Sequence, residues 1–251
     1  MLRCFRTIRL ALHALAAVFY CGVVYPFISQ TAKDRYVRRW SSRLMAIAGV
    51  TMRINHPERI APRSLIVSNH VSWLDIFLIY SHLNGHFIAK STMADWPVMG
   101  YLGRKVGTLY LDRSSGRNLK ETLGRLVGNL NAEERCIFFP EGTTAPQGNM
   151  LPFHPNLFEG AIQVNLPIQP FAIRYLMPDG TYADAVDFTG DISMQESMKR
   201  IFNAEGIIAE LTVLPAILPE GRTRRELAQD TRSIIETVIT TLSNHQTPGT
   251  R

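Results

Sequence analysis

Seven short runs rich in β-branched and aliphatic residues punctuate the chain from residue 50 onward, at 51–55, 64–67, 86–89, 108–111, 135–139, 168–175 and 207–214. Stretches long enough for helices stand between most of them, at 73–81, 96–104, 117–131, 156–164, 194–203 and 223–243. Few architectures accommodate that rhythm. A strand that reaches its neighbour through a helix runs parallel to it, so the alternation predicts an α/β fold with a mixed, largely parallel central sheet flanked by helices. No internal repeat, low-complexity tract or long linker divides this body, and 251 residues suffice for one substantial core.

The residues ahead of the body read differently. Between 10 and 32 there is no Asp, Glu, Lys or Arg, and about 20 apolar residues are enough to cross a bilayer. A cleaved signal peptide fits the arginine-flanked start, but no small-x-small cleavage site follows. A full span fits the length, yet Arg3, Arg6 and Arg9 on one side balance Lys33, Arg35, Arg38 and Arg39 on the other, giving no preferred orientation. The third reading, a helix lying in one leaflet with 36–48 as a second membrane-facing helix, is the one adopted. It gives 1–49 as a membrane-associated helical hairpin, 50–244 as the α/β domain and 245–251 as a frayed tail.

Charge supports contact with lipid. The net charge is +6, and the first 60 residues hold ten Lys or Arg against Asp34 and Glu58. Basic residues around an apolar segment suit anionic lipid headgroups, whereas a near-neutral body offers no nucleic-acid-binding face. Cys4, Cys21 and Cys136 are far apart, with no His at metal-ligand spacing, so neither a zinc site nor a disulfide framework is expected.

The chemistry centres on Ser68–Phe77, S-N-H-V-S-W-L-D-I-F, which follows the apolar run Leu65-Ile66-Val67. Ser68 and Asn69 are turn and cap formers, so His70 falls at a strand-to-helix turn, and Asp75 sits about one and a half helical turns further on. A carboxylate that holds one imidazole nitrogen leaves the other free to take a proton, the arrangement of a positioned general base. Three further stretches stand out. Gly107–Arg113 is a strand ending in Asp112 and Arg113, a forked donor at a strand end. Phe139-Pro140-Glu141-Gly142-Thr143-Thr144 is an exposed turn that allows close backbone approach. Pro167 and Pro170 bracket the entry of an apolar strand. His154 lies in a loop a few residues past the acidic turn, His82 and His86 read as structural, and Trp96, Met99 and Tyr101 suit core or an apolar groove.

In this order the four stretches resemble the glycerolipid acyltransferase family, which includes bacterial 1-acyl-glycerol-3-phosphate acyltransferases. N-H-x4-D matches at Asn69, His70 and Asp75; G-x4-D-R at Gly107, Asp112 and Arg113; F-P-E-G-T at Phe139 to Thr143; and apolar-Pro-x-x-Pro at Pro167 and Pro170. The resemblance covers roughly residues 40–215. It implies acyl transfer from acyl-CoA or acyl carrier protein to a lysolipid hydroxyl, without metal or bound cofactor, at the cytoplasmic side of the inner membrane. His70 and Asp75 would be catalytic, and Asn69, Lys90, Arg113, Glu141, Gly142 and Thr143 would bind or orient substrate. Thr144 departs from the pattern, since the family often has Arg or Ser there, and that leaves the headgroup open between lysophosphatidate and another acceptor such as a lyso-ornithine lipid.

Overall fold

The computed structural model describes residues 2–112, 116–132 and 134–243. Two helices, α1 (Leu2–Val23) and α2 (Gln30–Ala48), precede a seven-stranded sheet. The strands are β1 (Thr51–Asn55), β2 (Leu65–Ser68), β3 (His86–Lys90), β4 (Leu109–Leu111), β5 (Cys136–Phe138), β6 (Ile168–Leu176) and β7 (Ile208–Val213). Helices α3 (Leu74–His82), α4 (Met99–Lys105), α5 (Gly116–Asn131), α6 (Phe158–Gln163), α7 (Met194–Asn203) and α8 (Arg224–Ser243) cover it. The order is β1-β7-β6-β2-β5-β3-β4. Every pairing is parallel except β6 with β7, which is antiparallel. The mixed, largely parallel sheet expected from the alternation is therefore the observed one.

Alternation along the central strands sorts the core into two layers, because successive strand side chains point to opposite faces. Ile66 and Ile137 pack with Leu44, Met45, Leu74 and Leu78 beneath α2 and α3. Leu65, Val67, Cys136 and Phe138 pack with Leu126, Phe158 and Ile235 beneath α5, α6 and α8. With both faces covered, β2 is buried at every position. The chain leaves β2 towards β3 on one side and leaves β5 towards β6 on the other. Ligand crevices in open α/β sheets form where strand order reverses in this way, beyond the carboxyl ends of the strands.

Two helix starts differ from the sequence reading for local reasons. Helix α2 begins at Gln30 rather than near 36, because the Ser29 hydroxyl caps it by accepting from the Ala32 N–H. Helix α4 begins at Met99 rather than Trp96, because Pro97 holds the residue before it extended (φ −69°, ψ 126°).

The N-terminal pair also divides its labour unexpectedly. Segment 36–48 was expected to face lipid, but Ser41, Leu44, Met45, Ile47 and Ala48 are buried, and much of that face joins the core beneath α3. Helix α1 carries the exposed apolar surface. Phe5, Ile8, Leu12, Leu15, Phe19 and Val23 form a stripe spaced by three and four residues, each more than half exposed, and Phe27 continues it. Two ring stacks hold α1 on α2: His13 on Trp40 and Tyr20 on Tyr36.

Candidate active site

The turn after β2 and the turn after β5 meet at the switch point. His70 Nδ1 lies 2.8 Å from Asp75 Oδ2, and the aspartate side chain is fully buried. The same oxygen accepts the N–H groups of Val71 (2.7 Å) and Ser72 (2.9 Å), so Asp75 ties down the start of α3 while it holds the imidazole. An ionised Asp75 accepts from Nδ1–H, which assigns that tautomer and leaves Nε2 as the acceptor. The ring stacks on Phe139 with centroids 4.0 Å apart and planes 6° from parallel. One edge and one face of the imidazole are thus fixed.

Asp75 Oδ1 accepts from the Tyr175 hydroxyl at 2.6 Å. Burial, then the neighbouring Asp75 charge, pushes that hydroxyl well above the ordinary tyrosine range, so it stays protonated and donates. Gln147 Oε1 anchors the same residue by accepting the Tyr175 N–H at 2.6 Å. Neither Tyr175 nor Gln147 was singled out from sequence. Tyr175 lies one hundred residues from Asp75 in an ordinary apolar strand, and no local pattern marks it.

Glu141 is buried, with both oxygens engaged: Oε1 accepts the His70 N–H (2.9 Å) and Oε2 the Leu151 N–H (2.7 Å). Burial raises its proton affinity above the usual carboxylate value, opposed by those two N–H donors and the nearby imidazole. Sequence placed Glu141 among the residues that bind or orient substrate; both of its oxygens are instead bonded to backbone N–H groups of the two turns. Gly142 has φ +77°, a left-handed conformation that glycine adopts without a Cβ penalty. Ala145 N–H donates to the His70 carbonyl (2.8 Å) and Phe188 N–H to the Val71 carbonyl (3.2 Å). The Thr144 hydroxyl donates to the Phe188 carbonyl. Segment 187–188 thus fastens both turns together.

A cavity of about 420 Å³ opens beside His70. Gly142, Thr143 and Lys90 line it, and Trp40, Phe77, Trp96, Met99, Leu102 and Val106 give much of its apolar wall. It reaches Ala17 and Cys21 on α1. Trp96 and Met99 line this cavity, while Tyr101 packs in the small cluster against α1. Lys90 ends β3 exposed and makes no ion pair among the described residues.

Other expected residues stand elsewhere. Asn69 is buried away from the cavity, with its amide committed to β6: Nδ2 donates to the Ile173 carbonyl (2.9 Å) and Oδ1 accepts the Ile173 N–H (2.8 Å). It splices two strands rather than facing substrate. Arg113 lies outside the described residues. His154 is exposed and does not line the cavity; its N–H donates to the Pro140 carbonyl. His86 holds the Gly107 carbonyl and Glu134, and His82 bonds within its own helix end, so both are structural as expected.

Residues 51–174, which carry the His70–Asp75 pair, the Glu141 turn and most of β6, match the acyltransferase family. A lyso-ornithine lipid O-acyltransferase of Pseudomonas aeruginosa is 31% identical over 209 residues, spanning 82% of this chain and 79% of that protein. The chain belongs to the acyltransferase family and is an O-acyltransferase. A 1-acyl-sn-glycerol-3-phosphate acyltransferase of Neisseria meningitidis is also 31% identical, over 160 residues covering 61% of this chain and 63% of that one. The crystal structure of the 1-acyl-sn-glycerophosphate (LPA) acyltransferase PlsC from Thermotoga maritima superposes over 98% of this chain and all of that one, with a TM-score of 0.64 and 21% identity. At that identity the likeness speaks for the fold alone.

Proposed function

We propose that the chain transfers a fatty acyl group from a thioester, acyl-CoA or acyl carrier protein, to the free hydroxyl of a lysolipid, with His70 as general base. The observation that carries this reading is the His70–Asp75 contact of 2.8 Å beside a mostly apolar cavity that His70 helps line. His70 Nε2 takes the hydroxyl proton as the oxygen attacks the thioester carbonyl. The tetrahedral adduct collapses, the C–S bond breaks, and the imidazolium returns its proton to the departing thiolate. Because the donor is already activated, no acyl-enzyme is needed. The acyl chain lies along Phe77, Met99 and Leu102, in a cavity whose volume of about 420 Å³ falls within the usual range for ligand pockets of roughly 300–1,000 Å³.

The first acceptor to test is 1-acyl-glycerol-3-phosphate, giving phosphatidate, its phosphate met by Lys90 on the wall that Gly142 and Thr143 also line, with Arg113 a second cation by the resemblance of its motif. A lyso-ornithine lipid is the second. Thr144 favours it, since that position supplies no forked cation and its hydroxyl is committed to Phe188. Such a contact to a phosphate is worth roughly 1.5–3 kcal/mol. The α1 stripe seats the protein on the lipid surface as a monotopic anchor, with the site facing the cytoplasmic side of the inner membrane.

The test is thiol release from acyl-CoA and from acyl carrier protein with each acceptor, products identified by mass, using wild type and His70→Ala. Acceptor-dependent release should fall by about 10²–10⁴ in the variant. Release independent of any acceptor would mean a thioesterase, and near-wild-type turnover by the variant would remove His70 as base.

A further inference from the structure

The Asp75 carboxylate is saturated. Oδ2 receives Nδ1–H of His70 and two backbone N–H groups, and Oδ1 receives the Tyr175 hydroxyl. The first three donors all come from the turn that contains the pair. Tyr175 comes from β6, the strand already tied to this turn through Asn69 and Ile173. It is fully buried and is not among the residues lining the cavity beside His70, and its hydroxyl is bonded to Asp75. We propose that Tyr175 is a positioning residue for the base: its hydroxyl fixes the carboxylate against the imidazole and lowers the proton affinity of the His70–Asp75 pair.

The reason is electrostatic. A hydrogen bond donated to an anion in a dry site stabilises the charged form. Without it, Asp75 Oδ1 is left bare in the interior, and the pair holds its proton more tightly whichever of the two side chains carries it. Among the described residues, the other titratable group touching the pair is Glu141, bonded to the His70 N–H from the turn after β5. Asp187 reaches Tyr175 only through Gln147. A base must be unprotonated to act, so loss of the donor moves the acidic limb of the rate profile to higher pH.

The inference rests on His70 being the base, and the experiment separates the two. Tyr175→Phe in the full-length enzyme should lower kcat with the acceptor KM near wild type and raise the acidic limb of kcat/KM by about one pH unit, a free-energy equivalent of roughly 1.4 kcal/mol. In parallel, carbethoxylation of His70 by diethylpyrocarbonate, followed residue by residue by mass spectrometry, reads the same proton without turnover. Its pH midpoint should move in the same direction. A midpoint that stays put would overturn the assignment, even with activity lost, because a merely structural role would slow turnover without moving the titration. A midpoint that moves while the turnover limb does not would uphold Tyr175 and remove His70 as base. If the phenylalanine variant does not fold, fluorotyrosine placed at 175 keeps the shape and is a stronger donor. It should move the midpoint downward, and no movement there would also overturn the proposal.

Discussion

Asn69 sits inside the motif that defines the site, yet its geometry predicts a stability phenotype rather than a binding one. Asn69→Ala removes both partners of Ile173, whose N–H and carbonyl stay buried in the middle of β6. Each unsatisfied buried backbone group costs about 1–3 kcal/mol, and some relaxation of β6 brings the expected loss to about 2–4 kcal/mol. For a domain of this size each kcal/mol lowers the unfolding temperature by about 2–4 °C, so a fall of about 5–15 °C is expected. The assay is thermal unfolding in detergent micelles at one fixed scan rate, since unfolding of such a protein need not be reversible. Kinetics would be measured well below the transition. The acceptor KM should stay near wild type while kcat falls, because His70 is the next residue and its turn loosens. Asn69→Asp should be no better, as it sets a carboxylate oxygen against the Ile173 carbonyl. An unchanged unfolding temperature with a raised acceptor KM would refute the splice and return Asn69 to substrate binding.

Other perturbations test neighbouring claims. Glu141→Gln puts an amide N–H against a backbone N–H of His70 or Leu151, so kcat and unfolding temperature should both fall; loss of binding alone would contradict a turn-supporting role. Leu12→Glu combined with Phe19→Glu alters side chains that are 62% and 68% exposed, so co-sedimentation with anionic liposomes should drop with little change in unfolding temperature. Asp187 is pushed up to about 6 by burial, with Asp184 adding to the shift against the Gln147 N–H. Its folded value exceeds the ordinary 3.8, so the ionised form opposes folding above about pH 6 and the penalty is relieved as pH falls through that value. Asp187→Asn should therefore raise the unfolding temperature at neutral pH, with the gain shrinking below about pH 6. A gain independent of pH would refute the burial argument.

Much of this molecule was legible in the chain because its signals are local. Each of the seven strands lies at its expected run, and α7 occupies the expected residues, because apolar periodicity and turn residues act over a few positions. His70 and Asp75 could be paired from their spacing, since both belong to one turn. The acidic turn was recognisable from Pro140, Glu141 and Gly142, and the basic, apolar N-terminus from charge alone. Local signals misled where a second element decided the outcome. Segment 36–48 has an apolar face that lipid or protein could cover equally well, and only packing against α3 shows that protein covers it.

The sequence by itself determined the α/β class, the positions of the strands, the His–Asp pair and the kinship with acyltransferases. The tertiary structure alone decided strand order, the antiparallel entry of β7, the commitment of Asn69 to Ile173 and the arrival of Tyr175 behind Asp75. Spacing reports which side chains share a turn or a face. It carries no record of which distant strand closes beside it, because that choice is made by the burial of whole faces at once. The His70–Asp75 pair can thus be read from ten consecutive residues, whereas the Glu141 carboxylate and Tyr175 hydroxyl that brace it come from about seventy and one hundred residues away.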